Sequence, residues 1–271
     1  IVAAQGFGER SATSFMVLWK YFQMLVFPHP LLSDYSYKHL SVVCWGNCQV
    51  LSGLVLYAGL AVFALRGVLR RQPLAFCVAA FLCGVALYSQ LPLVIGTLFG
   101  ERLMYAPSLW FCAGATWLTL QLSGFDLKNE SGKPFFPATA KISIGGAVLV
   151  LAAILFAFKT ISRNPDWETN LALFTADSAK APNSMRLHNG MGSELYTQLA
   201  ADDALPEAER EALLKKIEAH AQAAIAVKPN PVSYLNLGNA AISRHQYAPA
   251  IEQSENALKE APNYGLARQN I

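Results

Sequence analysis

Charge is what this chain has least of. Lys, Arg, Asp and Glu supply 14% of its 271 residues against an apolar share of 54%, where a soluble chain carries about 25% charged residues. The shortage is local: charges are sparse before Lys159 and dense after Arg163. A net charge of +3 with no basic run leaves no electrostatic footprint for nucleic acid. Cysteine is missing from the charged part altogether. All five, at positions 44, 48, 77, 83 and 112, lie in the apolar part, so the charged part has no disulfide frame. Cys44 and Cys48 lack the second pair of ligands that a zinc site needs, and no metal is expected. There is no P-loop, HExxH or GxSxG motif, which excludes the common soluble enzyme classes built on them. The histidines at 29, 39, 188, 220 and 245 do not cluster along the chain. The chain opens at Ile1 without the charged start and short apolar core of a signal peptide, and it closes at Ile271 inside a helix-like pattern. Both ends are read as cut.

What the chain does have is long apolar runs. A hydrocarbon core of about 30 Å needs about 20 apolar residues in a helix. Residues 49–67, 73–98, 103–123 and 141–159 meet that requirement and are predicted to span. The second run contains Gln90, Pro92, Gly96 and Gly100, so a break near Pro92 is expected, which membrane-buried backbone tolerates only against protein or a watery cavity. Residues 11–28 are apolar and aromatic around a central Lys20 and are predicted to form an interfacial helix. The loops at 66–72 (Arg66, Arg70, Arg71) and 124–140 (Lys128, Lys133) are basic and therefore cytoplasmic by the positive-inside rule. That orientation puts 29–48, Glu101-Arg102 and everything after 160 on the outer face, periplasmic or in the endoplasmic reticulum lumen.

The part after 160 carries a repeat. Tyr234, Leu237, Gly238, Tyr247, Ala250, Ala257 and Pro262 fall at the spacing of a tetratricopeptide (TPR) helix–turn–helix. Small Gly238 and Ala250 let the two helices cross closely, Leu237 and Tyr247 are expected to fill the gap, and Pro262 closes the second helix. Pro229-Asn230 and Pro262-Asn263 stand 33 residues apart, near the usual repeat of about 34. An earlier unit follows Pro182-Asn183 with Met191-Gly192 in the Leu-Gly position. The fold class expected is all-α: a multi-pass transmembrane helical domain over 1–160, then TPR repeats over 161–271. Such repeats bind protein or peptide, or act as rigid spacers.

Polar residues at the predicted outer face are the candidates for chemistry. Asp34 and Tyr35 lie in Leu32-Ser33-Asp34-Tyr35-Ser36. Glu101-Arg102 opens a span and is followed by Tyr105, Pro107 and Ser108. Glu101 suits a helix N-terminus and Arg102 can snorkel. A guanidinium at the membrane surface can also hold a phosphate through its planar fork.

These same segments resemble a known family, the transmembrane-and-TPR protein O-mannosyltransferases. Phe27-Pro28-His29-Pro30-Leu31-Leu32-Ser33-Asp34-Tyr35-Ser36-Tyr37 is similar to an outer-loop motif of that family. Gly100-Glu101-Arg102-Leu103-Met104-Tyr105-Ala106-Pro107-Ser108 is similar to a second, and Arg163-Asn164 with Trp167 and Leu173-Phe174 to its junction between membrane and repeats. The resemblance implies the C-terminal part of a GT-C membrane fold and a donor in which a sugar is linked to polyprenyl phosphate. It implies inverting transfer to Ser or Thr of a protein, with acidic catalytic residues upstream of Ile1. Arg102 is then the candidate for the donor phosphate, Glu101 and Tyr105 its neighbours, and Asp34 and Tyr35 the outer mouth. The alternative is a non-catalytic membrane-anchored scaffold whose repeats recruit protein partners.

Overall fold

The computed structural model describes residues 6–35, 42–91, 99–122, 144–202 and 204–271. Every regular element among the described residues is helical. The chain divides into two compact units, Ile1–Leu31 with Val42–Arg163, and Leu32–Ser41 with Asn164–Ile271.

The first unit holds α1 (Phe7–Val26), α2 (Cys48–Leu69), α3 (Pro73–Ala86), a 3-10 turn (Glu101–Met104), α4 (Tyr105–Leu122) and α5 (Ile144–Arg163). Asn47 caps α2, its side chain accepting the Gln49 N–H at 2.8 Å, and Pro73 opens α3, where a missing N–H costs nothing. Successive helices pack side by side through small residues. A Cβ at Gly53 would collide with the Phe15 carbonyl of α1, and one at Gly67 with the Ala75 side chain of α3. The Tyr57 hydroxyl donates to the Leu18 carbonyl at 3.2 Å, tying α2 to α1.

Two stretches are long and apolar enough to cross a membrane, Cys48–Leu69 and Gly145–Trp167. The core helix of a water-soluble protein hides its apolar side chains, and these two do not. Only 22% of the apolar stretch is buried in the first and none in the second. Val55, Leu65, Leu69 and Phe158 are each at least 70% exposed.

The apolar runs and the observed helices differ in two places. The run predicted over 73–98 is helical only to Ala86. The Ser89 hydroxyl and amide both donate to the Ala86 carbonyl, at 2.7 and 3.3 Å, and Gln90 turns left-handed at φ 62°. A polar residue thus takes over the backbone acceptor and the helix stops short of Pro92, which lies outside the described residues together with Gly96. Fourteen residues rise about 21 Å, less than a hydrocarbon core. The run at 103–123 begins instead as a 3-10 turn, and α4 is diluted by Pro107, Ser108, Thr116, Thr119 and Gln121. The run at 11–28, expected as an interfacial helix, is helical as α1, which buries Ser11, Ser14, Leu18 and Tyr21. Arg66, Arg70 and Arg71 cluster at the α2–α3 turn, with Arg71 left-handed at φ 54°. The other basic loop, 124–140, lies outside the described residues.

The second unit follows a 3-10 turn (Asn164–Trp167) with α6 (Asn170–Ser178), α7 (Met185–Ala201), α8 (Glu207–Val227), α9 (Pro231–Ser243), α10 (Tyr247–Glu260) and α11 (Gly265–Gln269). Thr169, Ser184 and Asn230 cap α6, α7 and α9 with side-chain oxygens, satisfying amides the helices leave open. α7 packs on α8 and α9 on α10. α9 also touches both α7 and α8, so the helices stack as pairs. Met191, Leu195, Leu199, Leu214, Ile217 and Ala240 form the core. Between α7 and α9 lies a buried polar cluster. Asn189 donates to the Asn230 side chain at 2.8 Å, Asn230 to Ser233 at 2.7 Å, and Ser233 back to Asn189 at 2.5 Å. Asn236 donates to the Asn189 carbonyl and accepts from Ser193, both at 3.3 Å.

Gly238 sits where α9 meets α10, a Cβ there falling 3.4 Å from the Ala250 carbonyl and the Ser254 hydroxyl. Ala250 and Ala257 are buried, Tyr234 and Leu237 half-buried, and Pro262 lies just past the end of α10. Tyr247 departs from expectation: it is 63% exposed and fills no gap between the helices. With Gly238, Ala250, Ser254 and Ala257 at the crossing, the backbones approach too closely to admit a ring.

Candidate functional site

The first unit contains a cavity of about 560 Å³. Its walls come from α1 (Tyr21, Met24, Leu25), the segment after it (Pro28, Leu31), the 3-10 turn (Glu101, Arg102, Met104), α4 (Tyr105, Ser108, Phe111, Cys112) and α5 (Phe156, Lys159, Thr160). The turn is held in place from α1. The Gly100 amide donates to the Tyr21 hydroxyl at 3.2 Å, and the Tyr21 ring stacks on Phe99 with centroids 4.4 Å apart. The Leu103 amide donates back to the Gly100 carbonyl at 3.1 Å, so Glu101 and Arg102 occupy one tight turn directly before α4.

Most of the lining is apolar, and the polar groups differ in what they have free. The Ser108 hydroxyl donates to the Tyr105 carbonyl at 2.8 Å and that of Thr160 to the Phe156 carbonyl at 2.9 Å. Their protons are spent within their own helices. Glu101 is half-buried and already engaged in a contact. Arg102 is exposed and, among the described residues, has neither ion-pair nor hydrogen-bond partner. Tyr105 is 86% exposed at the rim.

The structure therefore brings Glu101, Arg102 and Tyr105 to one cavity and does not bring Asp34 and Tyr35 there. The latter two belong to the second unit. Asp34 accepts from Arg186 at 3.3 Å and from Ser184 at 3.2 Å, at the N-terminus of α7, where a carboxylate is favoured. The neighbouring Ser33 amide donates to the buried Asp177 of α6 at 2.6 Å. Tyr35 is buried, and its hydroxyl accepts from the Leu32 amide at 3.1 Å. Tyr37, Lys38 and His39 lie outside the described residues.

Sequence reasoning missed two groups. Lys159 and Thr160 line the cavity, and the only sequence signal for them is a lone cation near the end of an apolar run. His188 and His220, 32 residues apart, meet through their Nδ1 atoms at 3.0 Å across α7 and α8, while the His188 Nε2–H donates to the Pro182 carbonyl at 2.8 Å. Burial, and then the neighbouring His188, push the His220 ring below the ordinary histidine range. Arg244 joins Glu211 and Glu218 of α8. These contacts hold the Glu211 carboxyl below its usual range, through the hydrogen bond from Arg244 first, and push Arg244 above its own. Among the described residues no three His, Cys, Asp or Glu side chains converge to hold a metal.

Among the described residues these features define a helical protein with two helices long and apolar enough to cross a membrane and a mainly apolar cavity edged by the charged side chains of Glu101, Arg102 and Lys159. The chain is similar to the Protein O-mannosyl-transferase Tmtc3 of Drosophila melanogaster, with 26% identity over 111 residues, which is 41% of this chain and 11% of that protein. No protein-family model matches the chain, and no solved structure does.

Proposed function

We propose that this chain belongs to a membrane glycosyltransferase that moves a sugar, mannose, from a polyprenyl-phosphate donor to Ser or Thr of a protein. The observation that carries the reading is the cavity: apolar walls on three helices, with Arg102 at a turn before α4 and without a partner among the described residues. A polyprenyl-phosphate sugar has the matching character, a long apolar chain ending in an anion. As the sugar leaves, charge develops on that phosphate, and a guanidinium fork stabilises it. Glu101 is adjacent on the same turn, and Tyr105 offers a hydroxyl at the rim. No cavity residue is assigned as the base that deprotonates the acceptor.

The exposed apolar faces of α2 and α5 support insertion in a membrane, since a bilayer is the solvent in which they cost nothing. In this reading the first unit is multi-pass, a portion of a GT-C fold. The second unit, as TPR repeats, lies on the periplasmic or lumenal side and engages the acceptor or a partner protein. The stacked pairs α7–α8 and α9–α10 and the close crossing at Gly238 support the repeat assignment. The similarity to an O-mannosyl-transferase supports the chemistry.

The test is transfer of labelled sugar from polyprenyl phosphate in membranes holding the full protein at matched expression. A charge-assisted contact is worth roughly 1.5–3 kcal/mol, so Arg102→Ala should weaken donor use by about 10- to 150-fold, with Arg102→Lys between. Wild-type rates at limiting donor in the alanine variant would remove Arg102 from the site. Absence of any transfer by the wild type would leave the scaffold reading.

A further inference from the structure

We propose that Lys159 of α5 is a second phosphate-binding residue of this cavity, closing on the anionic head of a lipid phosphate together with Arg102. The inference rests on the reading of the cavity as a lipid-phosphate site and adds the group that completes its head end. Arg102 comes from the turn before α4 and Lys159 from a different helix, yet both line the same space. Among the described residues neither has an ion-pair partner. The nearby Ser108 and Thr160 hydroxyls already donate to their own helix backbones. The two cations are therefore the strong donors left to meet a ligand. Glu101 lines the same space, and its carboxylate repels an anion, but it already has a contact of its own. A single guanidinium beside that carboxylate would leave the head end close to neutral. Lys159 gives the cavity a net positive charge.

The remaining lining selects among anions. Free phosphate needs no apolar wall, and a neutral lipid makes no use of the two cations. An anion carried on an apolar chain satisfies both. Lys159 is half-buried and lines the cavity.

The test uses the purified protein in nanodiscs and three probes: farnesyl phosphate, farnesol and inorganic phosphate, with binding read by native mass spectrometry or thermal shift. Lys159→Gln should weaken farnesyl phosphate about tenfold and leave farnesol unchanged, with Lys159→Arg restoring most of the loss. Inorganic phosphate should bind far more weakly than farnesyl phosphate to every variant. Unchanged farnesyl phosphate affinity in Lys159→Gln overturns the proposal, as does an equal loss of farnesol, which would mean that the cavity had deformed. Failure of the proposal and failure of the transferase reading separate cleanly. Sugar transfer with an unaltered donor KM in Lys159→Gln removes Lys159 and leaves the transferase. Charge-dependent lipid binding without any transfer keeps Lys159 and removes the transferase.

Discussion

The two units are built by one packing rule and present different outward faces. Each brings helices together over a small residue, Gly53 against α1 in the first and Gly238 against α10 in the second. They differ in what they show outward. The first exposes Val55, Leu65 and Phe158. The second shows charged side chains and pins its helices with polar contacts such as Arg244 to Glu211 and Glu218. The difference teaches that close helix packing says nothing about solvent. The outward face does, and here it changes sign near Arg163.

The sharpest way to break the comparison is at its tightest contact. Gly53→Val places branched carbon against the Phe15 backbone, where a rigid carbonyl rather than a side-chain tip must move. It should cost more than about 3 kcal/mol and abolish a monodisperse peak in detergent size-exclusion chromatography. Gly238→Leu meets ordinary contact distances and should cost about 1–3 kcal/mol, read as a lower melting midpoint of the second unit. A cost at Gly238 equal to that at Gly53 would show that the two crossings are equally tight.

Smaller effects test the polar pins. Arg244→Met should lower that midpoint less than Gly238→Leu, and the loss should shrink in high salt. Its pH dependence has a definite sign. The Glu211 carboxyl is depressed in the folded state, so its contribution is full above the ordinary value of about 4.3 and disappears as pH falls through the depressed one. The smallest effect belongs to His220. Its folded ring is also depressed, so the unfolded chain binds the proton more readily. The second unit should lose stability as pH falls from about 6.5 toward the folded value. Hydrogen exchange of α7 and α8 should speed up over that range, and His220→Gln should flatten the change.

Much of the helical architecture was legible because it rests on local pattern. The apolar run at 49–67 became Cys48–Leu69, and that at 141–159 became Ile144–Arg163. The end of α3 was harder to read, because it depends on which carbonyl the Ser89 hydroxyl takes. Assignment of Leu32–Ser41 to the second unit was not legible at all. It depends on Ser33 finding Asp177 and on Asp34 finding Arg186, partners about 150 residues away, and no local signal announces them. For the cavity, Glu101, Arg102 and Tyr105 were visible as a charged turn before an apolar run. Lys159 was not, since only the packing of α5 brings it to the same space. Tyr247 shows the opposite failure, a repeat position whose residue type matched while its ring turned outward.

The ring of bonds through Asn189, Asn230 and Ser233 has a mechanical consequence. Apolar contacts between helices are indifferent to small slides, but a closed circuit of amides and a hydroxyl fits at one offset only. Shifting α9 along α7 by a single helical turn, about 5.4 Å, would open both bonds that Asn189 makes across to Asn230 and Ser233 in a buried place, at about 1–3 kcal/mol for each group left unmatched. The spacing from one helical pair to the next is thereby locked like the teeth of a gear.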